Sequence, residues 1–159
     1  YVDYAYALCA NKWFTNTFRG KIGLIGAAPK MDLIKNLCKK QEYLDYLEFD
    51  GFTNYISMPQ RYLCDNLDHG EQILANELPN SDCNIFLVGI GHAQQALLHR
   101  MKKYKNAVYI VVGSMIDAYA GVQDNIRPYC GDWINYKLKN YDYSNIDIWK
   151  ENFFNLKEI

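Results

Sequence analysis

Short apolar runs alternate along the chain with longer stretches whose apolar residues recur every three or four positions. The first firm run covers residues 21–26 and ends in a glycine-alanine-alanine-proline turn. Pro29 suits the first turn of a helix there, because its missing N–H would be unpaired anyway. Residues 30–40 then place Met31, Ile34, Leu37 and Cys38 at helical spacing. A second strand is expected over 53–58, halted by Pro59, and a helix over 65–78 with Leu67, Ile73, Leu74 and Leu78 as its apolar stripe. Residues 79–82 are turn chemistry. A third strand over 84–89 runs Ile85, Phe86, Leu87 and Val88 into Gly89, Ile90 and Gly91, and a helix follows from about 92 to 104. The fourth strand, 107–112, closes in Gly113 and Ser114 before a short helix over 115–120 that ends at Gly121. Ahead of the first strand, residues 4–18 pattern as an amphipathic helix with Trp13 and Phe14 on its buried side. Beyond Gly121 the periodicity dissolves. Residues 127–133 read as a loop, and those after 137 as a peripheral tail or a helix lying on the domain.

Strands that alternate with helices of this length are βαβ units, whose crossovers make the strands parallel. Near-continuous apolar strands belong to a sheet covered by helices on both faces. The fold class expected is therefore α/β, an open parallel sheet in a single domain over 1–159. The chain begins at Tyr1 rather than methionine, which fits a piece of a longer polypeptide.

Composition narrows the partners more than the fold. With 50% hydrophobic and 22% charged residues the chain is ordinary globular protein, and a net charge of -1 gives no electrostatic case for nucleic acid. The basic residues at 35–40 and the cluster Arg100, Lys102, Lys103 and Lys105 read as helix ends, where cations complement the dipole. The five cysteines, Cys9, Cys38, Cys64, Cys83 and Cys130, form no C-x-x-C pair and read as small buried thiols in a reducing, cytoplasmic setting. No run approaches a membrane span, and no signal peptide is visible.

Ligands of open α/β sheets bind beyond the strand carboxyl ends, near a switch in strand order. Three glycine-bearing turns occupy that kind of place: Gly26 with Ala27 and Ala28, Gly89 to His92, and Gly113 to Met115. Glycine admits a ligand close to the backbone, and a helix N-terminus favours phosphate; tight strand–helix turns account for the same glycines. Ser114 and Asp117 form an S-x-x-D pattern that reads either as a capping box or as two groups facing the crevice. Arg127 stands before Pro128, placed either to pair with a diphosphate or to make an ordinary ion pair. His92 opens a helix and is a ligand contact or a helix start; His99 reads as a helix-face residue, and His69 has no metal spacing. Asp65, Asp68 and Glu71 share one helical face that reads as solvated, and Arg61 and Asn66 flank the second strand's end as further candidate contacts. No metal site is assigned, and no nucleophile with an adjacent base is apparent.

The segment VVGSMIDAYAG at 111–121, followed by Arg127, Pro128 and Tyr129, resembles the G-S-x-x-D-x-x-x-G…R stretch of glycosyltransferases with the GT-D fold. The turn at Phe86 to Gly91 looks like that family's glycine-rich turn, and Trp13 with the run at 20–26 is similar to the opening of its Rossmann-like core. The resemblance covers roughly residues 13–133. It implies transfer of a sugar from a nucleotide-sugar donor, usually UDP-linked, to a glycan or glycoside acceptor. Asp117 would then be the catalytic carboxylate, with Gly26, Gly89, Gly91, Ser114, Gly121 and Arg127 around the donor. The family's divalent cation, Mn2+ or Mg2+, sits on a D-x-E motif, and this chain has no D-x-D or D-x-E triplet. The alternatives are another nucleotide-using α/β enzyme, a methyltransferase or NAD-dependent reductase, and a ligand-binding module without catalysis. On this reading, Asp117→Asn is expected to abolish turnover and leave the fold intact.

Overall fold

Strand β1 (Ile22–Ala27) is the centre of the sheet, and all six of its residues are buried. The computed structural model describes residues 4, 5, 7, 8, 12–59, 63–122 and 138–143. β1 pairs in parallel with β2 (Asn54–Met58) on one side and with β3 (Ile85–Gly89) on the other, and β3 pairs in parallel with β4 (Val108–Val111). The order β2-β1-β3-β4 puts the reversal of winding between β1 and β3.

The helices are α1 (Lys12–Thr17), α2 (Ala28–Leu37), α3 (Gln41–Leu47), α4 (Leu67–Glu77), α5 (Gln94–Met101) and α6 (Met115–Ala120). Side-chain alternation along the strands divides the core in two. Ile22, Leu24, Ile85 and Leu87 pack with Phe14, Ile34, Leu37, Tyr43, Ile116 and Tyr119, so α1, α2, α3 and α6 cover one face. Ile25, Ile56, Phe86 and Val88 pack with Leu74, Leu97 and Met101, so α4 and α5 cover the other. Across the second face Gly23, Phe86 and Tyr109 are register partners. The Phe86 ring occupies the room Gly23 leaves and stacks on Tyr109 at 5.5 Å. The expected architecture, a parallel sheet with helices on both faces, is present.

The expected strands match within a residue at each end, because the flanking amides continue the ladder: Thr53 N–H bonds Ile22 O at 2.9 Å and Ile85 N–H bonds Lys21 O at 3.2 Å. Other expectations need correction. Trp13 is 67% exposed, because the six-residue helix α1 turns Phe14 inward and leaves Trp13 at the surface, edge-on to Phe18. Helix α3 lay in a stretch to which the pattern assigned nothing; its hold on the core is Tyr43, whose hydroxyl donates to the Tyr119 carbonyl. The helix expected from 92 to 104 is shorter. Gly91, at φ +61°, opens a single 3-10 turn, and after Met101 the chain tightens through Tyr104 N–H to Met101 O. Cys64 is exposed rather than a buried thiol, whereas Cys83 is buried and Cys38 half-buried. Cys9 and Cys130 lie outside the described residues.

The acidic face expected on α4 is solvated at Asp65 and Asp68, both exposed, and departs from that reading at Glu71. Asp65 precedes the helix, and Glu71, 21% exposed, accepts bonds from Arg100 Nη1 and the Tyr104 hydroxyl at 2.7 Å each. The Tyr104 hydroxyl, with Arg100 next, holds the Glu71 carboxyl below its usual value of 4.5. A carboxyl lowered on folding stabilises the protein above its unfolded value, and that stability is lost as pH falls through the folded one. Glu71→Gln should therefore flatten the loss of stability below about pH 4.5, read as urea midpoints against pH.

Candidate functional site at the carboxyl edge of the sheet

The turn after β1 has no loop residues. Ala27 precedes α2 without a side-chain cap, Pro29 sits in the first turn, and Lys30 follows. A cation there opposes the positive end of the helix dipole, and a lysine would ordinarily run out to water. Lys30 instead turns inward. Its Nζ lies 2.5 Å from Oδ1 of Asp117 on α6, with side chains 6% and 19% exposed.

The S-x-x-D pattern therefore forms no capping box. Ser114 already has helical angles (φ -69°, ψ -2°) and makes no side-chain cap bond, since an N-cap serine must be extended to reach the amides ahead. Its carbonyl takes the Asp117 amide at 3.0 Å, which frees the Asp117 side chain for Lys30.

The glycines divide by role. A Cβ on Gly26 would stand 2.9 Å from Met31 Cε, and one on Gly89 would stand 2.5 Å from Ile116 Cγ1 and 2.7 Å from the Gly113 carbonyl oxygen. The room these two leave is filled by α2 and α6, not left for a ligand. Gly121, at φ +71°, ends α6: its amide bonds Ala118 O while Val122 N–H bonds Asp117 O, a Schellman closure. Packing and helix closure account for glycine at 26, 89 and 121 without a donor. Gly91 and Gly113 (φ +61° and +55°) face open space.

Gly113 and Ser114 line a cavity of about 1360 Å³ between Tyr4, the start of α5, β4 and the start of α6. His92, Gln94, His99 and Tyr109 contribute its polar wall. Gln94 Oε1 is buried with no hydrogen-bond partner. Burial pushes the Tyr109 hydroxyl up to about 12, and it donates to Lys105 O at 2.8 Å. Among the described lining residues there is no Asp, Glu, Lys or Arg. The wall is suited to hydroxyls and amides, with two imidazoles at its rim.

The structure thus brings the start of α5, Gly113 and Ser114 to one cavity, while Asp117, bound to Lys30, is not among the described lining residues. Arg127 and Arg61 lie outside the described residues. Asn66 is the N-cap of α4, accepting the His69 amide at 3.1 Å, rather than a ligand contact. Pattern reading missed Lys30 and Gln94; His99 is an exposed helix residue as expected and also lines the cavity. The available signal for Lys30 was a lysine in the wrong turn of a helix. Among the described residues no three His, Cys, Asp or Glu side chains gather in a way that fits a divalent cation, so no step below runs through one. No described helix is long and apolar enough to cross a membrane.

These features define an α/β protein with a parallel sheet whose winding reverses between β1 and β3. Comparison of the chain with protein-family models, with curated proteins and with solved structures found no match.

Proposed function

We propose that the chain is a glycosyltransferase, or a domain of that kind, which takes a UDP-linked sugar at the carboxyl edge of the sheet and passes the sugar to a glycan hydroxyl. The observation that carries this reading is the start of α6. Ser114 opens onto a roomy cavity with neutral polar groups in its wall, and one turn later Asp117 holds a partly exposed carboxylate on Lys30. The resemblance of residues 111–121 to the glycosyltransferase stretch points the same way. In the reaction the acceptor oxygen bonds the sugar's anomeric carbon as the carbon–oxygen bond to the diphosphate breaks. UDP leaves with that electron pair, and the acceptor's proton passes to a carboxylate. Asp117 is the candidate for that carboxylate and Arg127 for holding the diphosphate. The three described cysteines are free thiols, in keeping with a reducing compartment such as the cytoplasm.

A second reading, a module that binds the donor without turning it over, is favoured by the absence of a cation-binding set among the described residues. Release of UDP from UDP-glucose, UDP-galactose and UDP-N-acetylglucosamine, with manganese and simple glycosides present, separates the two. Transfer is expected with at least one donor. Calorimetric binding of UDP without release would favour the binding module. Binding of S-adenosylmethionine or NAD in place of UDP would overturn both.

A further inference from the structure

Resting on the transferase reading, we propose that Lys30 is the positioning residue for the working carboxylate, holding Asp117 by Oδ1 so that Oδ2 is the oxygen offered to the acceptor hydroxyl. Three observations converge. Lys30 stands in the first turn of α2, where the helix dipole disfavours a cation, and yet it is buried rather than turned to water. It meets the carboxylate of α6 at 2.5 Å, Nζ to Oδ1. The Asp117 side chain keeps 19% of its surface exposed, so the carboxylate is not sealed from an incoming hydroxyl.

Adhesion between α2 and α6 does not account for the pair. Met31 and Ile116 already meet over Gly26, and Ile116 closes on Gly89. A buried ion pair rarely improves on apolar residues of the same volume, so its retention at a ligand edge suits a role in the chemistry. The ammonium fixes the carboxylate's rotation. Oδ2 then takes the proton of the acceptor O–H as the acceptor oxygen bonds the anomeric carbon and UDP departs with the electrons of the broken bond. Asp117 afterwards returns the proton to solvent.

Four proteins test this: wild type, K30R, K30M and the double variant K30M/D117L, each assayed for kcat and KM by UDP release from the donor the wild type uses, and for thermal midpoint. A misplaced group costs about 100-fold, so K30M should lose about that much kcat with KM for the donor nearly unchanged. K30R, which keeps the cation, should recover most of it. K30M/D117L should regain the thermal midpoint lost in K30M while remaining as inactive as K30M or worse. A double variant as active as wild type, or a K30M defect confined to KM, would overturn the positioning role and leave the transferase reading standing. A wild-type protein inert toward every UDP-sugar would remove the transferase reading and this assignment with it.

Discussion

Lys30→Met alone is expected to lower the free energy of unfolding by about 3 kcal/mol, the cost of leaving one member of a buried ion pair without its partner. The lysine side chain is 6% exposed and the aspartate 19%, so water reaches the carboxylate only in part and screening relieves only part of the loss. Methionine keeps much of the lysine's length, which confines the change to the charge rather than to a void. Urea unfolding measures it. The midpoint should fall with an unchanged slope, and Asp117→Leu added to Lys30→Met should return most of the loss. A decrease below about 1 kcal/mol would mean that the pair behaves as a surface contact. By the same reasoning Asp117→Asn should lower stability as well as turnover. An amide in place of the carboxylate removes the charge that the Lys30 ammonium meets at 2.5 Å.

The second large effect is expected at Gly89. Alanine there brings a Cβ to 2.5 Å from Ile116 Cγ1 and 2.7 Å from the carbonyl oxygen of Gly113. Ile116 has rotamers to try, but the carbonyl is backbone of the turn that carries β4 into α6 and cannot swing aside. Overpacking of this kind costs roughly 3 kcal/mol. Its second consequence is positional, since any relief moves the start of α6 and takes Ser114 and Asp117 with it. Gly89→Ala should therefore lower stability and donor binding together. Gly91→Ala meets no atom within 4 Å and carries only the strain of φ +61°, so it should lose about 1 kcal/mol. Equal losses at the two positions, compared by urea unfolding, would contradict the packing explanation.

The fold was legible because its determinants are local. Runs such as Ile85 to Val88 are too short and too apolar for anything but a covered strand, and the turn residues between them fix where each helix begins. The six residues of α6 were read with their ends in place, since Gly121 marks its close. Helix α3 was not legible because seven residues hold little periodic signal and its anchor is tertiary, the Tyr43 hydroxyl on the Tyr119 carbonyl. Trp13 was misplaced because size and hydrophobicity say nothing about which side of a short helix meets the core.

The site was less legible for the same reason turned around. Whether a glycine makes room for a ligand or for the protein depends on what stands opposite, and Ile116 decides that for Gly89 and, together with Met31, for Gly26. Ser114 and Asp117 match a capping box letter for letter, but the box requires an extended serine, and the helix begins one residue too early for that. Lys30 finds Asp117 only because α2 and α6 lie on the same face of the sheet. Its sequence neighbours give no hint of it.

The most direct measurement is a titration of the isotope-labelled chain with UDP, followed residue by residue through backbone amide resonances. Gly91, Gly113 and Ser114 should shift first and saturate together, with Asp117 moving alongside them, while the far corner around Arg19 and Asp50 stays still. Shifts confined to that far corner, or none at saturating UDP, would contradict a nucleotide site at the carboxyl edge of the sheet.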